Sequence, residues 1–211
     1  QLIDASKKLR HRGPDWSGYV VENSCGIAHE RLAIIDPESG AQPLISEDKS
    51  LVVAANGEIF NYLELLANLE KPYKPLTGSD CECVIPLYQQ KTPADFLPML
   101  RGMYSVVIRD RTDGSYLAFR DHMGKTPLYI GWAADGSTWF SSEMKGLSEY
   151  CARYEVFPPG HYYSSTTKEY VRYYQPKFLT SKTIPTTKFD PLKLRASFEK
   201  AVERRMMTDV P

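Results

Sequence analysis

Leu51-Val52-Val53-Ala54-Ala55-Asn56-Gly57-Glu58 is the stretch whose reading decides the fold and the chemistry of this chain. A short apolar, β-rich run that stops on Asn-Gly sets a side-chain amide beside a main-chain N–H with no side chain above it. At a strand end those two donors converge on one oxygen, which is what a tetrahedral oxyanion requires. Asn-Gly by itself is more often a plain hairpin turn, so its neighbours decide. Upstream, Arg31 closes the strand-like Gly26-Ile27-Ala28-His29-Glu30; downstream, Asp80 ends the loop Thr77-Gly78-Ser79. A guanidinium fork suits an α-carboxylate and a carboxylate suits an α-ammonium. The three pieces predict a site that holds a free amino acid with its far end at an oxyanion hole. Plainer readings exist for each: Arg31 could pair with Asp36 or Glu30 on the surface, and Asp80 could be an ordinary helix N-cap.

The 211 residues suffice for one large domain or two small ones with a substantial core. Lys+Arg and Asp+Glu both total 26, with no basic cluster, which argues against nucleic acid as a partner. No apolar run approaches the ~20 residues of a membrane span, and no signal peptide opens the chain. Cys25, Cys81, Cys83 and Cys151 lack the spacing of a disulfide framework or a zinc site. They read as free thiols in a reducing compartment, the cytoplasm, rather than as metal ligands.

Outward from the central run, the chain opens on the tail of a helix carrying Leu2, Ile3, Ser6 and Leu9, then breaks at Gly13-Pro14. The start is not Met, and something is expected to precede Gln1. Strands are expected at 18–21, 26–31 and 51–55, helices at 62–69, 80–90 and 94–100. Pro86 conflicts with the middle of the second helix. Strands return at 103–109, 116–120, 128–132 and 138–142, with Asp113-Gly114 and Asp135-Gly136 as hairpin turns. A short helix near 144–150, strands at 161–164 and 170–174, and an exposed connector follow. A last helix starts with Asp190 as N-cap and Pro191 as first residue, with Leu194, Phe198, Ala201 and Val202 as its apolar face. Two batches of strands with helices between and after them predict an α+β fold, two antiparallel sheets stacked with helices outside. The fourteen tyrosines suit sheet packing.

Four motifs in order carry a resemblance: Arg10-His11-Arg12-Gly13-Pro14-Asp15, His29-Glu30-Arg31-Leu32-Ala33-Ile34-Ile35-Asp36, Asn56-Gly57-Glu58-Ile59-Phe60-Asn61 and Thr77-Gly78-Ser79-Asp80. They resemble class II glutamine amidotransferase domains, which belong to the N-terminal nucleophile (Ntn) hydrolases. Trp16-Ser17-Gly18, Ser141-Ser142-Glu143-Met144-Lys145-Gly146-Leu147, Phe157-Pro158-Pro159-Gly160-His161 and Met207-Thr208-Asp209-Val210-Pro211 narrow it to the glutamine-hydrolysing asparagine synthetases of the B type, in their eukaryotic form.

The resemblance implies a four-layer αββα sandwich and a role for each matching residue. Arg31 would bind the α-carboxylate of L-glutamine, with the backbone of Leu32, Ala33, Ile34 and Ile35 lining that side. Asp80 would bind the α-ammonium with help from Glu58, and Asn56 and Gly57 would form the oxyanion hole. The family attacks the side-chain amide with an N-terminal Cys whose own α-amine, of pKa ~8, is the base. Residues 1–175 would be the glutaminase domain, 176–189 a connector and 190–211 a helix leading to a synthetase domain, the partner within the same protein. That domain would use ATP and Mg²⁺; none is expected in the glutaminase domain, and a homodimer is an open expectation.

The chain departs from the pattern by lacking a Met-Cys start and the pyrophosphate-binding loop. Taken as written, it is expected to be inactive and to have an unpaired sheet edge. Cys25 is a poor substitute, since its amine is locked in a peptide bond. Two rivals remain, another class II amidotransferase and a non-catalytic glutamine-binding or scaffolding relative. Arg120-Asp121-His122-Met123-Gly124 reads as a structural turn, and His11, His29 and His122 as ordinary histidines.

Overall fold

Strand-forming sequence on both sides of a helical stretch builds two sheet layers with helices outside them. The computed structural model describes residues 1–22, 25–184 and 186–210, without the side chains of Lys177 and Leu179; Pro185 of the expected connector and Pro211 of the tail motif lie outside the described residues. In chain order the elements are α1 (Leu2–Lys7), β1 (Trp16–Glu22), β2 (Cys25–Arg31), β3 (Leu44–Ile45), β4 (Leu51–Ile59), α2 (Tyr62–Ala67), α3 (Val84–Gln90), α4 (Pro93–Phe96), β5 (Gly102–Asp110) and β6 (Tyr116–Arg120). Then come β7 (Tyr129–Trp132), β8 (Thr138–Ser141), β9 (Arg153–Val156), β10 (His161–Ser164), β11 (Glu169–Arg172), α5 (Lys177–Thr180) and α6 (Pro191–Glu203).

The first layer is a six-stranded antiparallel sheet in the order β11-β10-β6-β5-β4-β3. One face packs on α2–α4 through Val53, Ile59, Leu65, Ile85, Phe96, Leu97, Tyr104 and Phe119. Ala118, Leu128, Ile130, Phe157 and Tyr163 form a second apolar cluster around β6, β7 and β10. The second layer consists of the β1-β2 hairpin and the sheet β8-β7-β9. α1 lies on β2, where Ser6 Oγ donates to Glu30 at 2.7 Å and Ala5 is buried. Covering on both faces explains why β4 reads as an unbroken apolar run rather than an alternation.

Four expectations need correction. Asn56-Gly57 does not end a strand: β4 continues to Ile59, with Asn56 opposite Ser105 and Gly57 opposite Tyr104. Gly57 makes this tolerable, for its φ is +137° and a Cβ there would sit 1.9 Å from the Met103 carbonyl oxygen. The helix expected over 80–90 is a 3₁₀ turn, Asp80–Cys83, followed by α3. Pro86 then falls in the first turn of α3, where its missing N–H has no helical partner to lose. The connector carries a helical turn, α5. The apolar side chains of α6 stay exposed, Phe198 by 70%, although Asp190 caps it as expected, accepting from Leu192 and Lys193 N–H at 3.0 and 3.1 Å. Among the described residues no helix is long and apolar enough to cross a membrane.

Candidate functional site

A cavity of about 320 Å³ opens where the end of β2, the middle of β4 and the 3₁₀ turn at Asp80 meet. Arg31, Leu32, Ile34, Ile35, Asn56, Gly57, Glu58 and Asp80 all line it, so residues up to 49 positions apart in sequence share one cavity. Ala33 does not line it; its N–H turns to Asp15 Oδ2 at 2.9 Å and fixes the loop from behind.

Arg31 is 6% exposed and is no surface ion pair. Its Nη2 donates to the carbonyls of Ile35 (2.9 Å) and Asp36 (2.6 Å), and Nη1 to that of Pro37 (3.2 Å). The guanidinium therefore folds the 32–37 loop around itself. Its Nε–H and one Nη1–H have no acceptor among the described residues, leaving donors for an anionic ligand. Asp36, in a left-handed conformation (φ +51°), ties this loop to the next one. Its carboxylate accepts from Ser39 N–H and Oγ and from Gly78 N–H at 2.7 Å, two residues before Asp80. The Ser39 and Gly78 hydrogen bonds, aided by the Arg31 charge, outweigh desolvation and hold its pKa below the usual range.

The Asn56 amide donates to Ser142 Oγ at 3.2 Å, which aims it into the cavity. Just before it, Gln42 grips the main chain of Ala55 on both sides: Nε2 donates to the Ala55 carbonyl at 2.9 Å and Oε1 accepts its N–H at 2.8 Å. The segment that presents Asn56 and Gly57 is thus fixed by a buried side chain as well as by β5.

Asp80 is not an N-cap; Ser79 holds that position. Its Oδ2 accepts the Ile59 N–H at 2.6 Å, and the carboxylate is 4% exposed. Desolvation raises its pKa, partly offset by main-chain N–H groups. Glu58, 9% exposed, is raised by desolvation and then by the Asp80 charge, with Arg205 acting the other way. Two buried carboxylates thus border one cavity and oppose each other's ionisation, so a cationic group beside them would be stabilised. Glu82 sets the loop before Asp80: its oxygens accept Tyr73 Oη (2.7 Å), Leu76 N–H (2.7 Å), Thr77 N–H (2.8 Å) and Thr77 Oγ1 (2.5 Å). Asp36, Gln42, Glu82 and Ser142 were missed as positioning groups, because nothing local to them signals a role; Asp36 and Ser142 do lie inside the quoted motifs.

His29 is less ordinary than its sequence context suggests. It lines the main cavity and a smaller one of about 120 Å³, bordered also by Leu2 and Ser6 of α1 and Trp139 and Phe140 of β8. Burial, and secondarily the Arg31 charge, lowers its pKa to about 4, so the ring is neutral at physiological pH. His11 Nε2 sits 3.3 Å from Glu143, which Arg12 also meets at 3.2 Å. Cys25 lines neither cavity, and burial raises its thiol pKa. Cys81 and Cys83 are buried free thiols, both raised well above the usual range by burial. Among the described residues no His, Cys, Asp and Glu cluster has the form of a metal site.

Arg120-Asp121 is a structural turn. Arg120 donates to the carbonyls of Thr126, Phe157 and Gly124, and Asp121 accepts the N–H groups of Met123, Lys125 and Thr126, which shapes the Lys125–Pro127 wall of the cavity.

The chain is similar to known proteins. Over its full 211 residues the chain is 54% identical to asparagine synthetase [glutamine-hydrolyzing] 2 of Oryza sativa subsp. japonica, and 52% identical to asparagine synthetase [glutamine-hydrolyzing] 3 of Arabidopsis thaliana. It spans 35% and 36% of those proteins, about a third of their length. Among solved structures it is similar to the glutamine phosphoribosylpyrophosphate amidotransferase of B. subtilis, with a TM-score of 0.65 and 21% identity over 82% of this chain and 46% of that one. At that identity the likeness is one of fold. Residues 1–175 match the family described as the glutamine amidotransferase domain, and the chain belongs to that family.

Proposed function

We propose that this chain is the glutamine-hydrolysing part of an asparagine synthetase: residues 1–175 form the glutaminase domain, 176–189 the connector, and 190–211 the lead into a synthetase domain. L-Glutamine binds with its α-carboxylate on the remaining Arg31 donors and the backbone of Leu32, Ile34 and Ile35, and its α-ammonium on Asp80 and Glu58. Its side-chain carbonyl points at the Asn56 amide and Gly57. Attack by an N-terminal cysteine of the whole protein forms a C–S bond, and the tetrahedral oxyanion draws on Asn56 and Gly57. Collapse expels ammonia with a proton from the cysteine's own amine, and water then releases glutamate.

One observation carries this reading: a guanidinium, two buried carboxylates with raised pKa and a hydrogen-bonded side-chain amide line a single cavity. That set complements a zwitterion carrying a polar tail. The two plant relatives add the use of the ammonia, since both are named asparagine synthetases that hydrolyse glutamine. The synthetase part would consume ATP, with Mg²⁺ as its cofactor, to activate aspartate. Cytosolic placement fits the free thiols, and self-association into a homodimer is part of the same reading.

The test is Arg31→Ala in the whole enzyme. Glutamine-dependent synthesis should show a raised KM for glutamine while ammonia-dependent synthesis persists. Equal loss of both activities would make Arg31 a folding residue and remove the ligand role.

A further inference from the structure

The segment after α6 returns to the cavity. Asp209 N–H donates to the Ile34 carbonyl at 3.0 Å, and Asp209 Oδ2 accepts the Asp36 N–H at 2.7 Å. One residue of the tail thus bridges two main-chain positions of the loop that Arg31 organises. Four residues earlier, the Arg205 guanidinium lies over the Phe60 ring, 5.1 Å from its centroid, close enough for its charge to act on Glu58. The tail thus bonds to the loop around Arg31 and sets a positive charge near Glu58.

Asp36 is where the bridge acquires consequence. Its N–H is held by Asp209, its carbonyl accepts from Arg31 Nη2 and Gly40 N–H, and its carboxylate holds the Gly78 N–H. Its left-handed φ of +51° is one that few residues adopt without being held there. Fixing the Asp36 amide therefore fixes Arg31 through one bond and the Asp80 loop through another. Releasing it frees the peptide between Ile35 and Asp36 to turn, which withdraws the Ile35 carbonyl, one of the three that orient the guanidinium.

We propose that Asp209 is a positioning residue for the amino-acid site, a strap by which the segment following α6 sets the geometry of the 32–37 loop. The inference rests on the glutamine reading of the cavity and deepens it. Whatever moves the tail then changes affinity for glutamine, and by reciprocity glutamine holds the tail in place.

The experiment compares Asp209→Ala with Asp209→Asn in the whole enzyme. Asparagine keeps an oxygen that accepts the Asp36 N–H; alanine does not. Loss of one such bond is expected to raise the KM for glutamine roughly three- to tenfold in Asp209→Ala, with kcat and ammonia-dependent synthesis unchanged. Asp209→Asn is expected within twofold of the parent. An unchanged KM in Asp209→Ala, an Asn variant as impaired as the Ala variant, or equal loss of ammonia-dependent synthesis would each overturn the proposal. Should the parent enzyme hydrolyse no glutamine, the glutamine reading falls, and hydrogen exchange still decides the strap. Faster exchange at the Asp36 and Gly78 amides in Asp209→Ala supports it, and identical exchange in parent and variant refutes it.

Discussion

His29→Gln is the perturbation whose size follows most directly from the structure. The folded ring takes its proton at about 4 against 6.5 for the free side chain, chiefly because burial disfavours imidazolium, with the Arg31 charge adding to that. Between those two values the unfolded chain binds a proton that the folded chain refuses. The neutral ring's contribution is thus complete above pH 6.5 and is lost as pH falls toward 4. Going from pH 7.5 to 4.5, the linkage amounts to about 2.5 kcal/mol, and some screening through the adjoining cavities brings the expected loss to about 2 kcal/mol. Glu58 and Asp80 act in the opposite sense, since raised carboxylate pKa values favour the fold as pH falls. They are common to both proteins and cancel in the comparison. Glutamine cannot be protonated, so unfolding free energies from urea titrations should fall further between pH 7.5 and 4.5 for the parent than for His29→Gln, by about 2 kcal/mol. Parallel pH profiles for the two proteins would refute the burial argument, as would a His29 ring titrating near 6.5 by NMR.

Two other substitutions probe the site's scaffold. Gly57→Ala should lower stability by roughly 3 kcal/mol or more and abolish glutamine turnover, because the new methyl meets the Met103 carbonyl at 1.9 Å on a φ of +137°; a normal melting temperature with intact turnover would contradict that strain. Glu82→Ala leaves four donors from Tyr73, Leu76 and Thr77 without their acceptor, and chemical denaturation should register a loss of about 3–5 kcal/mol, with loosening of the Asp80 loop.

How much the sequence conveyed depends on which signals were local. The hairpins at Asp113-Gly114 and Asp135-Gly136 were legible because the turn chemistry is local: both glycines adopt positive φ, +77° and +85°. β3 escaped notice as a two-residue strand. β9 escaped because all four of its residues are exposed, so no alternation marks it; Arg153 stacks on Trp132, 4.0 Å from the ring centroid, instead of facing a core. The site's members were readable by residue type, but their supports were not. Arg31 serves the loop carbonyls, a main-chain role that no spacing announces, and Ala33 faces away because Asp15 draws its amide backwards. Asn56 lines the cavity together with Arg31 and Asp80, but from within a strand that runs on for three more residues and not from a strand end.

Gln42 has a bearing on solubility. Beyond Leu44 and Ile45 the open side of β4 presents Ala55, whose hydrogen-bonding groups would otherwise invite a neighbouring chain to pair. A carboxamide that supplies both a donor and an acceptor occupies that spot as a peptide unit would. At this point of the margin one side chain stands in for a neighbouring strand, one residue short of Asn56, as Asp80 does further along at the Ile59 N–H, so intermolecular pairing is deterred beside the cavity.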